Sequence, residues 1–282
     1  MLTDFKPYSI KIKGGLYIID QPWVMGILNT TDDSFYDGGK YHTIDNALHQ
    51  AEKMLMEGAK IIDIGGQSTR PGAVMTSEEE ELQRTIPVVE ALAKQFPEAI
   101  LSIDTFRAEV AQKAVEAGAG IVNDVSAGDN DPGMMDMVVR LGVPYIAMHK
   151  QGDPATMQVD PQYEDVTQDV LLYLKQKTDI LRDKGINDVI IDPGFGFGKN
   201  LEHNYRLMKQ LQLFHTLNCP LMVGVSRKSI ICKLLKVNPD KALNGSTALH
   251  TIALLKGAHI LRVHDVKEAM EVVKITSYYR EA

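Results

Sequence analysis

The sequence predicts a parallel α/β protein closed as a (β/α)8 barrel, with a β-hairpin placed ahead of it. Three observations predict it. Eight short apolar runs recur along the chain, and segments with helical spacing of apolar residues lie between most of them. Glycine or proline marks the joints, mostly just ahead of a run. Short runs that are apolar on both faces suit strands buried in a parallel sheet. Eight such units favour a closed barrel over an open doubly wound sheet.

The first element, SIKIKGGLYIID at Ser9–Asp20, alternates around Gly14-Gly15. It reads as two strands of a hairpin that caps the bottom of the barrel. Barrel strands are expected at Val24–Leu28, Lys60–Ile64, Ile100–Ile103, Ile121–Val125, Tyr145–Met148, Val189–Ile191, Leu221–Val225 and His259–Val263. Helical spacing occupies Ile44–Met56, Glu79–Ala93, Val110–Ala117, Val166–Leu181 and Tyr205–Leu217. Gly58, Gly118, Gly142, Gly185 and Gly257 stand where helix C-caps belong, and Pro97 and Pro220 mark two further joints. No linker or low-complexity stretch divides residues 1–282, so the chain reads as a single domain.

Composition narrows the function. The chain has 282 residues, 44% of them hydrophobic, and a formal net charge of −7. That balance argues against nucleic acid as the main partner, because phosphate backbones demand basic surface. An anionic small substrate stays possible where a local cluster of cations overrides the global field. Cys219 and Cys232 lie in apolar segments and read as reduced thiols. Met1–Lys13 does not resemble a signal peptide and no run approaches membrane-spanning length. A soluble cytoplasmic protein with no membrane partner is expected.

The stretch IIDPGFGFGKN, Ile190–Asn200, looks at first like a phosphate-cradling loop. Both standard patterns fail on it. The Walker pattern would need glycine where Pro193 stands and a hydroxyl where Asn200 stands. The dinucleotide pattern fails because Lys199 occupies its last glycine position. What remains is a strand ending in a carboxylate, Asp192, at a sharp turn.

In a barrel, residues at the C-terminal strand ends point toward the active face. Those ends hold Asn29, Asp63 with Gln67, Asp104, Asn123 with Asp124, His149, Asp192, Ser226-Arg227-Lys228, and Arg262 with His264. Each has a bland reading of its own. Asp104 could cap the next helix, Asn29 could form an Asx-turn, and His264 could pair with Asp265 at the surface. Their convergence on one face points instead to a site. Asp104, Asp192 and Asn123 would accept hydrogen bonds from a heterocycle rich in N–H donors, whose guanidine-like edge matches a carboxylate bidentately. Arg70, Lys228, Arg262 and His264 would form a basic, anion-binding rim. The loops Thr30–Tyr41 and Ser68–Ala73 could close over a substrate.

MGILNTTDDSF, DIGGQSTRPGA, SIDTFRAEV, GIVNDVSAG, DPGFGFGKN, VGVSRKS and RVHDV together resemble dihydropteroate synthase, the pterin-binding TIM-barrel family. The resemblance runs from about Val24 to Val266. It implies condensation of (7,8-dihydropterin-6-yl)methyl diphosphate with 4-aminobenzoate, releasing diphosphate. By that likeness Asp104, Asn123, Met148, Asp192, Lys228 and Arg262 form the pterin pocket. Asn29, Arg70, Arg262 and His264 would hold the diphosphate, and Asn29 would be the protein ligand of a Mg²⁺ carried chiefly by that diphosphate. Phe35, Thr69, Arg70, Pro71, Lys228 and Ser229 fall where the family forms its 4-aminobenzoate site. The resemblance assigns catalysis to Asp104, Lys228 and Arg262, through electrostatics and positioning, and implies a homodimer built on late helices. For Lys199 a structural role is the preferred reading.

Several positions depart from the family pattern. Thr30 and Asp32 replace a valine and a proline, Gln67 replaces a common glutamate, and Phe106-Arg107 replaces serine-lysine. None removes a catalytic group. Two alternatives share the acidic floor: a methyltransferase domain acting on methyltetrahydrofolate, and a non-catalytic pterin-binding paralogue. The basic rim favours the synthase over the first, and retention of Asn29, Arg262 and His264 favours it over the second.

Overall fold

The computed structural model describes residues 5–30, 39–67, 75–152, 157 and 160–282. Strand β1 (Tyr8–Ile12) pairs antiparallel with β2 (Gly15–Ile19), with Ile12 opposite Gly15. Lys13 and Gly14 turn the chain at φ 49° and 79°, the two left-handed residues that a tight hairpin requires. Alternation puts Ile10, Ile12 and Ile19 on one buried face.

Eight parallel strands follow: β3 (Trp23–Asn29), β4 (Ile61–Gly65), β5 (Ile100–Asp104), β6 (Ile121–Asp124), β7 (Tyr145–Met148), β8 (Val189–Asp192), β9 (Met222–Val223) and β10 (Ile260–Val263). Their order is β8-β7-β6-β5-β4-β3-β10-β9. A parallel bridge from Ile191 to Leu221, with Ile191 N–H donating to Pro220 O at 3.0 Å, joins the two ends and closes the barrel. β9 is shorter than expected. Its ladder stops before Gly224, beyond which Lys228 N–H turns back onto Val225 O at 3.2 Å.

Strand residues facing into the barrel at its lower end include Ile61, Ile100, Ile121, Ile146, Ile190 and Ile260. The hairpin isoleucines pack against this layer as its plug. Burying such side chains contributes roughly 1.5–3 kcal/mol each. The bottom is therefore sealed by apolar contact.

Helices α1 (Gly39–Met56), α2 (Glu78–Gln95), α3 (Ala108–Glu116), α4 (Met134–Leu141), α5 (Val166–Asp183), α6 (Leu201–Lys209), α7 (Ser229–Leu235), α8 (Leu243–Leu255) and α9 (Val266–Glu281) surround the strands. Ser77 and Glu80 form a capping box on α2, and Asp165 caps α5. At Gly118 the predicted C-cap is complete: φ is 120°, Gly118 N–H bonds Val115 O and Ala119 N–H bonds Ala114 O. Gly58, Gly185 and Gly257 end their helices with the same pair of bonds.

The helix expected over Tyr205–Leu217 divides. α6 starts earlier, where the Asn200 side chain accepts His203 N–H at 2.8 Å, and ends at Lys209. Leu211–Leu217 is a 3₁₀ helix. Its buried residues, Leu211, Phe214 and Leu217, recur every third position, which matches three residues per turn.

Candidate active site

The period of two along each strand builds the site from the isoleucine layer upward. Two residues beyond those isoleucines stand Asp63, Ser102, Asn123, Met148, Asp192 and Arg262. The sealed apolar floor thus gives way, one layer higher, to a polar one. Asn123 and Asp124 separate on the same logic. Asn123 faces in and donates to Asp63 Oδ2 at 3.0 Å. Asp124 faces the helices, accepting Tyr145 O–H at 2.6 Å and the N–H groups of Ser126 and Gly128.

Arg262 organises the floor. Its Nε donates to Asp63 Oδ2 at 2.7 Å and its Nη2 to Asp104 Oδ2 at 2.6 Å. Burial pushes the Asp104 carboxyl up to about 7, against the pull of Arg262 and with Asp63 adding to the rise. Asp192 is raised too, first by burial, while Lys228 and the Gly194 N–H hold it down. Its Oδ1 accepts that N–H at 2.8 Å. Lys228 Nζ donates to Phe195 O at 2.7 Å and lies 4.6 Å from the centroid of the Phe197 ring. Burial lowers it to about 8, with Asp192 opposing.

Two glycines line the floor. A Cβ on Gly224 would stand 3.7 Å from Lys228 Nζ, 3.8 Å from Arg262 Cβ and 3.9 Å from Asp192 Oδ2. One on Gly65 would stand 3.7 Å from Asp104 Oδ2 and 3.9 Å from Asn29 Oδ1. Three buried acids, Asp63, Asp104 and Asp192, thus lie together with Lys228, Arg262 and the amides of Asn29 and Asn123 at the strand ends. Such a floor suits a flat ring with several N–H donors and some acceptors.

The bland readings of Asp104 and His264 do not hold here. Asp104 does not cap α3, whose first N–H, on Ala108, bonds Asp131 Oδ2 at 2.7 Å. Asp265 pairs through both oxygens with Arg227, at 2.9 and 2.6 Å, and His264 Nδ1 lies 3.1 Å from Ser226 Oγ instead. Arg227 adopts φ 56°, held by that ion pair and by its N–H to Ser246 Oγ at 3.0 Å. This conformation carries the chain from β9 to Lys228 at the N-terminus of α7.

The sequence profile of the family described as pterin binding enzyme matches residues 25–264. The dihydropteroate synthase of Escherichia coli K12 is 48% identical over 259 residues, spanning 91% of each chain. The chain belongs to the dihydropteroate synthase family. Among solved structures of this family, the Yersinia pestis dihydropteroate synthase with a sulfonamide drug superposes with a TM-score of 0.90 at 44% identity, covering 97% of this chain and 99% of that one. The Xanthomonas albilineans dihydropteroate synthase in complex with 7,8-dihydropteroate gives 0.88 at 37%, covering 98% and 100%.

Of the residues that the family likeness singled out, Asp104, Asn123, Met148, Asp192, Lys228 and Arg262 come together at the strand ends. Met148 is buried, its Cγ 3.3 Å from where a Gly194 Cβ would stand, and forms an apolar wall. Asn29 ends β3, His264 follows β10, and Ser229 is the first residue of α7. Phe35, Thr69, Arg70 and Pro71 lie outside the described residues, as does most of both loops. The base of the second loop is described. Gln67 Oε1 accepts Thr76 N–H at 3.1 Å, and Arg107 donates to Thr76 O at 2.5 Å and to the buried Glu81 carboxylate. Two of the family departures thus meet where that loop is anchored.

Sequence reasoning named Asp63 as a strand end without giving it a role, and passed over Phe197. The signal for Asp63 was present: a carboxylate inside the apolar run IIDIG needs a buried partner. Among the described residues no group of three or more His, Cys, Asp or Glu could hold a metal. Asn29 Oδ1, a neutral hard oxygen beside Asp104, fits a Mg²⁺ that arrives with a diphosphate and keeps its water, but not a resident ion in a protein cage.

Proposed function

We propose that this chain is a dihydropteroate synthase, joining (7,8-dihydropterin-6-yl)methyl diphosphate to 4-aminobenzoate and releasing diphosphate. The observation that carries the reading is the floor itself, where Asp63, Asp104, Asn123, Asp192, Lys228 and Arg262 meet around Gly65 and Gly224. The amino group and adjacent ring N–H of the pterin donate to Asp192, and Lys228 donates to the ring's acceptors. Asp104, exchanging part of its bond to Arg262 for the ring, faces the charge that develops there. Met148 packs against the ring.

The bond between the pterin methylene carbon and the diphosphate oxygen breaks, and its electron pair leaves with the diphosphate. His264, Arg70, Arg262 and Asn29 receive that anion, with Mg²⁺ neutralising part of its charge when bound. The methylene cation delocalises into the ring over Asp104. The amine lone pair of 4-aminobenzoate then forms the new C–N bond and its nitrogen loses a proton to solvent water. Phe35, Thr69, Arg70, Pro71, Lys228 and Ser229 hold the arylamine, a site that sulfonamides would share. The floor supplies position and field, and no nucleophile is needed.

We further assign residues 1–282 to a single cytoplasmic domain. No helix among the described residues is long and apolar enough to cross a membrane. A homodimer through the late helices is supported by the exposed Leu234, Leu235, Ile252, Ile275, Tyr278 and Tyr279 on α7, α8 and α9. The deciding assay is diphosphate release from the pterin substrate with and without 4-aminobenzoate. Release that depends on the arylamine is expected, and pterin binding without release would leave only a binding protein.

A further inference from the structure

Lys199 ends the glycine-rich loop after β8 and is only 2% exposed. A lysine accepts such burial when its ammonium is fully partnered. Its Nζ lies 3.0 Å from His149 Nδ1, 2.9 Å from Gly194 O and 3.0 Å from Phe197 O, with His149 O at 3.5 Å. Three N–H donors meet three near acceptors. Burial, with Lys199 beside it, holds His149 down to about 2, so its ring is neutral and Nδ1 accepts.

The loop is built onto the chain after β7. A Cβ on Gly194 would lie 1.8 Å from His149 O, and one on Gly198 2.2 Å from Gln151 O. Lys199 joins the two segments from inside. The same loop shapes the pterin floor: its Gly194 N–H holds Asp192, its Phe195 carbonyl holds Lys228, and its Phe197 ring lies against the Lys228 ammonium.

We propose that Lys199 is a positioning residue for the pterin site, its ammonium fixing the Gly194–Gly198 loop and supporting the charge of Asp192 through that loop. The inference rests on the pterin reading of the floor given above. The charged groups around Lys199 are Asp192 and Lys228, with Arg262 also acting on Asp192; burial lowers Lys199 itself to about 7 with Asp192 opposing, so it carries its charge on the acid side, where Asp192 titrates. Its other titratable neighbours are His149, Tyr163, which donates to Gly198 O at 2.8 Å, His203, whose ring lies 5.1 Å from that of Tyr163, and Tyr173, whose ring lies 4.9 Å from that of His149. Lys199 is among the groups that hold the Asp192 carboxyl down. Without it that carboxyl rises further, and pterin binding, which needs the carboxylate, loses its acid side at a higher pH.

The test compares Lys199→Met and Lys199→Arg with wild type. Steady-state diphosphate release gives kcat and KM for each substrate, and calorimetric titration with 6-hydroxymethyl-7,8-dihydropterin gives affinity from about pH 5 to 9. For Lys199→Met, KM for the pterin substrate should rise about tenfold or more, with the acid limb of pterin affinity moved to higher pH. Lys199→Arg keeps the charge and should keep that limb in place. A Met variant with wild-type pterin KM, or one that only melts earlier with an unmoved limb, overturns the proposal. Should the Met variant not fold, His149→Ala removes one acceptor and leaves the carbonyls. It should raise pterin KM about threefold, and an unchanged KM counts against the proposal. Wild-type protein that binds pterin but releases no diphosphate would refute the synthase reading alone, because the affinity titrations still test Lys199.

Discussion

Replacing Asp104 by asparagine should stabilise the ligand-free barrel and at the same time remove most of its pterin affinity. Burial holds the Asp104 carboxyl at about 7, against an ordinary value of 3.8, even with Arg262 Nη2 at 2.6 Å. The folded protein therefore binds this proton more tightly than the unfolded chain does. Its stabilising effect is complete below about pH 4 and is lost as pH rises toward 7. At about 1.4 kcal/mol per pH unit, ionising Asp104 costs the folded state on the order of 4 kcal/mol. Asparagine has the shape of the protonated acid and still offers Arg262 an acceptor, but never ionises. The variant's advantage should grow from under about 1 kcal/mol near pH 4 to on the order of 4 kcal/mol by pH 8. Urea unfolding at stepped pH reads the first effect, and calorimetry with the hydroxymethyl pterin reads the second. An Asp104→Asn protein less stable than wild type at pH 8, or one with full pterin affinity, would refute the reasoning.

Other substitutions separate the parts of the site. Arg262→Ala leaves Asp63 and Asp104 without their shared cation, so stability near pH 8 should fall by about 3–5 kcal/mol and recover in acid as Asp104 protonates; a loss in urea unfolding that ignores pH contradicts this. Asp192→Asn should weaken pterin binding by roughly 1–3 kcal/mol, and unchanged calorimetric affinity would remove Asp192 from the pterin contacts. His264→Ala should cost about tenfold in affinity for the pterin diphosphate while sparing the bare hydroxymethyl pterin; equal losses for both ligands would place His264 on the ring. Tyr145→Phe removes a bond to Asp124 on the helix side, so stability should drop by about 1 kcal/mol with pterin KM unmoved, and a changed KM would bring Asp124 into the site.

Much of the fold was legible because its signals are local. The isoleucines at Ile61, Ile100, Ile121, Ile190 and Ile260 sit in short apolar runs, and the glycines at Gly58, Gly118, Gly185 and Gly257 stand at joints whose left-handed φ favours glycine. The long helix expected over Tyr205–Leu217 failed where apolar spacing tightened to three, a detail that a helical pattern absorbs unnoticed. β9 came out short because its ladder length depends on where Val225–Lys228 turns inward, which no local pattern records.

The sequence by itself determined the order of the strands, five of the helical segments between them, the plugging hairpin, and which residues stand at the strand ends, all set by short apolar runs, local periodicity and caps within a few residues. Which of two neighbours faces inward, as with Asn123 and Asp124, already required the register of the whole barrel. Tertiary structure alone decided the partners. Arg262 meets Asp63 across 199 residues and Asp104 across 158, and Lys199 reaches His149 across 50. Burial and charge pairing depend on distances that only closure of the ring of strands creates, so the same aspartate could read as a helix cap in the sequence and stand as half of a buried ion pair in the fold.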